Sequence, residues 1–483
     1  MKAGPPVLAL RGDMTSQVCF VRICFVGRKC QESVWNGLSA DYTDYADFDQ
    51  MIVCCSHSNL RNLRIILPRP TEEKPTPKRL TYNGRRVMVN LAFKIPASIS
   101  LVAALFISCP SGHIPPETQT QQSLFTSAPG SPISIDGPGN VLAGDMNGDR
   151  KPDLIVACGK SRKILILPGK GDGQFGAPLS ESTVLDSPGE MALGDVNGDG
   201  TLDVAIGSHD SYGVMLLLGD GKGNLSIAPT SPIVMKLGQH PHTHGLSLVD
   251  MNRDNKLDLV TINSSDNDVS IALGNGLGNF VRASQSFAVG PSPYPSAIGD
   301  VNNDGWPDVV ATATATGPAR REQLPFSRAL TLLLAEGKGS FVSHQLPLRT
   351  GEPWFSAIAD LNGDGKADIV ATHHEMNAMT LMLGDGRGGF TEASGSPFDF
   401  GHTLFHIAIA DVNHDGRMDV VAAGGDSVRI ILGNGRGDFS SAEPIAVGRG
   451  VWRLVTDDLN ADGKIDIVTS NLESKSVSVL LGK

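Results

Sequence analysis

An acidic motif, Asp-x-Asn-x-Asp-x-x-x-Asp, occurs seven times in this sequence. Successive copies start 47 to 60 residues apart, and positions one, three, five and nine are Asp, Asn, Asp and Asp in each of them. Self-similarity at this period indicates a repeat architecture, in which every repeat is one supersecondary unit that stacks on its neighbours. The copies begin at Asp145, Asp195, Asp250, Asp300, Asp360, Asp411 and Asp458.

The spacing of oxygen donors within the motif suits calcium. Ca²⁺ takes about six to eight oxygen ligands, and alternate side chains of a tight loop turn toward one point. Position seven can add its carbonyl, and the Asp at position nine completes the shell. We expect up to seven structural calcium ions, held by Asp145, Asn147, Asp149, Asp153, Asp195, Asn197, Asp199, Asp203, Asp250, Asn252, Asp254, Asp258, Asp300, Asn302, Asp304, Asp308, Asp360, Asn362, Asp364, Asp368, Asp411, Asn413, Asp415, Asp419, Asp458, Asn460, Asp462 and Asp466.

Electrostatics favours metal over the alternative, a set of solvated acidic turns, because three adjacent carboxylates repel one another unless a cation lies between them. An EF-hand is excluded, since that loop requires flanking helices and a Glu at position twelve. Gly at position six supplies the positive φ of the turn in five copies, and Asn255 tolerates it in a sixth. Arg150 tolerates it poorly, so we expect the first loop to be strained or to bind weakest.

Each repeat has the pattern of four short strands. The acidic loop separates strands one and two, and a Gly-rich turn such as residues 219–224 precedes strand four. Strands two and three are nearly continuously apolar, as expected when both faces are buried. Seven such repeats predict an all-β fold, a seven-bladed β-propeller of four-stranded antiparallel blades. The last repeat lacks a fourth strand, and we expect the segment near residues 123–136 to supply it and close the ring.

The acidic loops, the Gly-x-Gly-x-Phe turns and the run Phe-Gly-Ala-Pro at residues 175–178 resemble the FG-GAP/VCBS repeats of integrin-α-type propellers. The resemblance covers about residues 120–483. It implies a seven-bladed propeller with structural calcium between the first two strands of a blade. The presence of the motif in all seven repeats is more similar to bacterial exported relatives.

Four regions are predicted along the chain. Residues 1–87 show no sustained periodicity and are interpreted as a non-native or disordered extension, with translation starting at Met88. Residues 88–109 resemble a secretory signal, because a lysine precedes an apolar run that is too short to span a bilayer. The run ends at Cys109, where lipidation, plain secretion and a buried segment all stay open. Residues 110–122 are expected to form a flexible tether, and residues 123–483 the propeller, which we predict to be exported.

A ligand is expected on the rim opposite the acidic loops, where the 2→3 and 4→1 connections emerge. Two interpretations stay open there: a recognition surface for a sugar or peptide, or aromatic side chains that plug the mouth of the ring. Alternating histidines at residues 240–244 could hold a transition metal, and the insertion at residues 314–329 could be a lid or a partner contact. The candidate ligand residues are His209, Tyr212, His240, His242, His244, Tyr294, Trp354, His373, His374, His402, His406 and Trp452.

The function predicted from these features is an exported, calcium-stabilised module that binds a carbohydrate or protein partner, for adhesion or as a scaffold. The acidic balance of the chain, −11, offers no basic surface for nucleic acid. No Gly-x-Ser-x-Gly motif, phosphate loop or zinc-protease helix is present. The alternative is a polysaccharide lyase or sugar dehydratase, with Tyr294, His373, His374 and His406 as candidate acids and bases.

Overall fold

The computed structural model describes residues 123–184, 187–237, 242–294, 296–313, 328–337, 339–373 and 376–483, and six short upstream strands. The chain divides into two units, Met1–Thr118 and Gln119–Lys483. In the first unit, β1 (Val21–Phe25), β2 (Met51–Cys55) and β3 (Leu63–Ile65) form one sheet, and β4 (Arg79–Tyr82), β5 (Arg85–Ala92) and β6 (Ala104–Ile107) form another. Apart from these strands, the predictions for residues 1–87, 88–109 and 110–122, including Cys109, lie outside the described residues. The described residues contain no helix that could cross a membrane.

The second unit is an all-β propeller of seven blades, as predicted. Within a blade each strand pairs antiparallel with the next one, from the first strand to the fourth. In five blades the third strand also pairs with an extra two-residue strand. Blades 1 to 4 comprise β9 (Pro138–Gly144), β10 (Asp153–Cys158), β11 (Lys163–Leu167) and β12 (Ser180–Thr183); β13 (Pro188–Gly194), β14 (Asp203–Ser208), β15 (Gly213–Gly219), β16 (Leu225–Ile227) and β17 (Ile233–Val234); β18 (Thr243–Val249), β19 (Asp258–Asn263), β20 (Asp268–Gly274), β21 (Phe280–Arg282) and β22 (Phe287–Ala288); and β23 (Ala297–Gly299), β24 (Asp308–Ala311), β25 (Ala329–Gly337) and β26 (Ser340–Pro347). Blades 5 to 7 comprise β27 (Pro353–Ala359), β28 (Asp368–His373), β29 (Ala378–Gly384), β30 (Phe390–Glu392) and β31 (Phe398–Asp399); β32 (His406–Ala410), β33 (Asp419–Gly424), β34 (Ser427–Gly433), β35 (Phe439–Ser441) and β36 (Ile445–Ala446); and β37 (Val451–Asp457), β38 (Asp466–Asn471), β39 (Ser476–Gly482), β7 (Phe125–Ser127) and β8 (Ile133–Ser134).

The ring is closed by the first and last strands of the propeller. β7 pairs with the end of β39, with Thr126 opposite Leu481, and β8 pairs with its start, with Ile133 opposite Val477. The predicted closure by residues 123–136 is therefore confirmed. It leaves no unpaired sheet edge at the junction, where another chain could otherwise add a strand.

The core consists of apolar layers between neighbouring blades. The second strands are buried along their whole length because each is covered on both faces. In β10, Leu154 and Val156 pack against blade 7, whereas Ile155 and Ala157 pack against blade 2. Seven clusters of the described residues correspond to the seven interfaces between successive blades. Burial of one large aliphatic side chain stabilises such a layer by about 1.5–3 kcal/mol.

The acidic loops turn through two residues with positive φ. At position six the five glycines have φ between 78° and 84°, while Asn255 has 61° and Arg150 has 66°, in agreement with the prediction. Position four also has positive φ, which the sequence interpretation missed. Because a left-handed conformation costs an L-residue about 1–2 kcal/mol, strain is shared among several loops. The residues without glycine at position four are Arg253, Asn303, His414 and Ala461.

Candidate functional site

Each acidic loop is organised by hydrogen bonds between its side chains and its own backbone. In blade 5, Asp360 Oδ1 accepts hydrogen bonds from the N–H groups of Gly363 (2.7 Å) and Asp364 (3.2 Å). Asn362 Oδ1 accepts a bond from Asp364 N–H (2.8 Å), and Asp364 Oδ1 accepts one from Lys366 N–H (3.1 Å). Most of this pattern recurs in every loop. The side chains at positions one, three and five are thus oriented by the loop itself.

The Asp at position nine has a structural role that was not predicted. It is the first residue of the second strand and is completely buried in all seven blades. In blade 5, Asp368 Oδ2 accepts a hydrogen bond from Leu361 N–H (3.0 Å) and Oδ1 accepts one from Gly384 N–H (2.9 Å). One carboxylate therefore ties the acidic loop to the second and third strands.

Burial raises the pKa of the position-nine carboxyl groups, against the effect of these hydrogen bonds. The pKa is about 6 for Asp258, Asp308, Asp419 and Asp466. The carboxylates at positions one and five add to the rise by repulsion. A cation would remove this repulsion, and each carboxylate oxygen has a second lone pair to offer it. The donor set of the loops thus fits a calcium ion.

The loops also contact the next blade. Gly223 N–H, in the Gly-rich turn of blade 2, donates to Met146 O in the first acidic loop (2.9 Å). Gly278 N–H and Val196 O make the same contact between blades 3 and 2 (2.9 Å). An ion that stiffened one loop would therefore also support the interface with the following blade.

The opposite rim carries a row of aromatic rings, one from each of five successive blades. Neighbouring rings pack in tilted or edge-to-face contacts, with centroids 4.1 to 5.2 Å apart. All five residues stand six positions before an acidic motif, and glycines fill that position in blades 1 and 2. The row therefore forms an open arc rather than a full circle. It consists of His244, Tyr294, Trp354, Phe405 and Trp452, and the gap is at Gly139 and Gly189.

An ion pair crosses the mouth of the ring inside this arc. The guanidinium of Arg453 in blade 7 contacts the carboxylate of Glu190 in blade 2, with Nε to Oε2 at 3.3 Å. Asn140 of blade 1 donates to the same Glu190 Oε2 (2.7 Å). The Arg453 guanidinium also lies 5.2 Å from the ring centres of Phe355 and Trp452. Arg453 is 5% exposed, and burial lowers its pKa to about 9.

Sequence interpretation missed Glu190 and Asn140. Alignment of the repeats on the acidic motif could have found them, because both stand five positions before it. Phe355, His406 and Arg453 occupy the same position in their own repeats. These residues pack against one another inside the mouth.

The remaining candidate residues differ in how deeply their side chains are buried. Tyr212 is buried and its hydroxyl contacts Asp266. His373 is wholly buried, with Nε2 2.8 Å from Thr380 Oγ1. His406 packs against Phe355 and its Nδ1 is enclosed. His402 is exposed, while His240, His374 and most of the insertion at residues 314–329 lie outside the described residues.

Three histidines meet at the end of the aromatic arc, and one of them, His244, belongs to it. His209 follows β14, and its ring lies 4.1 Å from that of His242 and 5.0 Å from that of His244, at interplanar angles of 77° and 78°. The Nε2 atoms of His242 and His244 are 2.6 Å apart. Within the described residues this is the only group of three His, Cys, Asp or Glu side chains whose ligand atoms lie within 4.8 Å of one another. The carboxylates of an acidic loop would therefore have to move closer together to share an ion.

Burial makes His373 a pH-sensitive element of the core. It lowers the pKa of His373 to about 4, against about 6.5 in an unfolded chain. A depressed folded-state pKa gives stability that is present above pH 6.5 and is lost as the pH falls through 4. In calcium buffer, we expect wild type to lose about 3 kcal/mol more than His373→Gln between pH 7 and pH 4. Denaturant unfolding at a series of pH values measures this difference.

The control for this prediction is His402→Gln, which changes an exposed histidine and should leave the pH dependence as in wild type. Comparison of variants cancels the contribution of the acidic loops, which all of them retain. An identical pH dependence for wild type and His373→Gln would contradict the prediction.

Comparisons with known proteins agree with this architecture. The family model for the FG-GAP-like repeat matches residues 145–206, 195–261, 250–311, 360–422 and 411–469. Among solved structures, BBS1N in complex with ARL6DN, soaked with mercury, has a TM-score of 0.52 and 13% identity, covering 75% of this chain and 98% of that chain. The lead-soaked complex has a TM-score of 0.50 at the same identity and coverage.

A further solved structure is an Agrocybe aegerita lectin that recognises non-reducing terminal N-acetylglucosamine. Its TM-score is 0.45 and its identity 18%, covering 70% of this chain and 86% of that chain. No curated protein matches the chain. At these identities the likeness to solved structures is one of fold alone. The repeat match covers more than half of the sequence, and the chain belongs to the FG-GAP-like repeat family.

Proposed function

We propose that this chain is an exported, calcium-stabilised propeller that binds a carbohydrate through the rim that carries the aromatic arc, with a protein partner as the second possibility. The observation that carries the proposal is the arc itself. Five rings at one repeat position stay partly exposed at the surface, and Trp452 at the end of the arc is 42% exposed. Aromatic faces of this kind stack on the apolar faces of sugars, while polar groups nearby supply specificity.

The gap in the arc gives the proposed site its shape. Gly139 and Gly189 leave blades 1 and 2 without a side chain at the position where the other blades have a ring. A partner could therefore approach the rim between Trp452 and His244. BBS1N, a propeller of similar fold, is found in complex with the protein ARL6DN, which supports a protein partner as the alternative occupant.

The lyase or dehydratase alternative has less support. Its candidate acid or base His373 is wholly buried and bonded to Thr380. The enclosed Nδ1 of His406 lies against Phe355. A general base must reach the proton that it removes, and neither the imidazole of His373 nor the enclosed Nδ1 of His406 is open to a substrate. We therefore favour binding without turnover.

The test is a glycan array, followed by affinity measurements on any ligand found, with calcium present throughout. We expect Trp452→Ala to weaken binding by about tenfold or more, because a tryptophan that contacts a ligand directly is often one of the few residues on which the affinity depends. The matched control is Trp306→Ala, which removes the same side chain from the acidic loop of blade 4 on the opposite rim. Equal effects of the two substitutions, or product formation from a bound glycan, would contradict the proposal. Binding to peptides but not to glycans would favour a protein as the partner.

A further inference from the structure

The three histidines at the end of the arc come from two different blades, and backbone hydrogen bonds hold their chain segments in place. His209 O accepts a hydrogen bond from Thr243 N–H (3.3 Å), which joins the turn after β14 to β18 of the next blade. His242 O accepts one from Ser264 N–H (2.7 Å). The imidazoles therefore project from fixed points of the scaffold, which is the arrangement that a preorganised metal site requires.

The contacts of the three imidazole rings are also those expected of metal ligands. The Nε2 atoms of His242 and His244 lie 2.6 Å apart, and at least one of the two must donate a proton for this contact to be favourable. His209 Nδ1 lies 3.0 Å from Asp210 Oδ1. A carboxylate that accepts the Nδ1 proton leaves Nε2 with a free lone pair, and this pairing is the usual support of a metal-bound histidine.

We propose that His209, His242 and His244 bind a zinc-class divalent ion, with Asp210 as the positioning residue of His209. Zn²⁺ binds imidazole nitrogen at about 2.0–2.1 Å, so two ligands of a tetrahedral ion lie roughly 3.4 Å apart. The present ligand atoms all lie within 4.8 Å of one another, and adjustments of the side chains of about an ångström would bring them onto one ion. Three protein ligands leave a fourth position for water or for a donor from a bound partner.

This ion differs in class from the one proposed for the acidic loops. Calcium takes oxygen ligands, whereas imidazole suits Zn²⁺ and its neighbours in the first transition series. The two kinds of site also lie on opposite rims, because the acidic loops connect strands one and two while His209 follows strand two of its blade. Saturating calcium should therefore leave the histidine site free.

The experiment uses the full chain, stripped of metal and returned to millimolar calcium. Titration with Co²⁺ followed by visible absorption, and competition with Zn²⁺, should show one equivalent of tight binding. We expect His209→Gln, His242→Gln and His244→Gln each to weaken Zn²⁺ binding at least tenfold. We expect Asp210→Asn to weaken it by about tenfold through loss of the Nδ1 contact. His402→Gln is the control and should bind as wild type does.

X-ray absorption of the zinc-loaded wild type provides a measurement that needs no variant. Three imidazole ligands are expected. A spectrum with oxygen ligands alone would overturn the proposal, since the zinc would then sit in the acidic loops. Loss of binding in His240→Gln together with full binding in His209→Gln would also overturn it, in favour of the alternating histidines of the loop.

Discussion

Exhaustive removal of calcium is expected to lower the thermal midpoint of this propeller by about 10 °C or more. At 1 mM Ca²⁺ and a dissociation constant of about 0.1 mM, one site contributes about 1.4 kcal/mol, and seven contribute about 10 kcal/mol. Spread over a chain of this size, that free energy corresponds to a shift of roughly ten degrees. The physical reason is that each loop holds three carboxylates, one of them wholly buried, and a cation would relieve their mutual repulsion. Calorimetry with calcium and with EDTA measures the shift.

A single-loop variant separates calcium binding from general ionic effects. Asp364→Asn removes one charge from the loop of blade 5, while its Oδ1 can still accept the hydrogen bond from Lys366 N–H. It should lower the midpoint in calcium and have little effect in EDTA. Asp399→Asn is the matched control, since Asp399 Oδ1 accepts a similar hydrogen bond from Gly401 N–H but lies outside the acidic loops. An unchanged midpoint after exhaustive chelation would show that the ring is stable without the ion.

Glu190→Gln is expected to destabilise the propeller by about 3 kcal/mol or more. The substitution leaves the Arg453 guanidinium, which is 5% exposed, without its counter-charge. Breaking a buried pair by removal of one partner typically costs about 3–5 kcal/mol, because the remaining charge stays desolvated. Denaturant unfolding in calcium buffer measures this loss.

Two further variants test the cause of the loss. Arg453→Met should cost less, because the side chain of Glu190 is 17% exposed and Asn140 still donates to it. The double variant should be more stable than the sum of the single effects indicates, since no unpaired charge remains. Asp136→Asn breaks the exposed pair with Lys475 and is the control, expected to have little effect on stability because solvent screens that pair. If Glu190→Gln costs no more than Asp136→Asn, the ion pair does not stabilise the ring.

The aromatic arc shows how far repeat analysis can go. Trp354 and Trp452 were predicted to lie on one rim, and the structure places them there in a row that also includes Phe405. Their shared repeat position could have been found from the sequence, because each stands six residues before an acidic motif. The exposure of each ring could not be predicted from the sequence, since it depends on how far Arg453 and Phe355 fill the mouth.

The histidine cluster, by contrast, could not have been found by aligning the repeats. The alternating histidines of residues 240–244 were a local pattern, and the sequence suggested them as a metal set. In the structure, His209 joins His242 and His244 from a different blade, more than thirty residues upstream. Two consecutive blades had to pack before these imidazoles could meet. No pattern within one repeat contains that information.

Three features of the fold could be predicted from the sequence alone: the seven blades, the acidic loops between first and second strands, and the closing strand at residues 123–136. These features follow from the spacing of the acidic motifs and from the short apolar runs after them, which repeat in every unit. Which residues of the other rim are enclosed depends on the packing of the blades, and so does the contact between Glu190 and Arg453, which are 263 residues apart in the sequence. Such contacts form only when the ring closes, because closure places blade 7 next to blade 1 and across the mouth from blade 2, although they lie at opposite ends of the sequence.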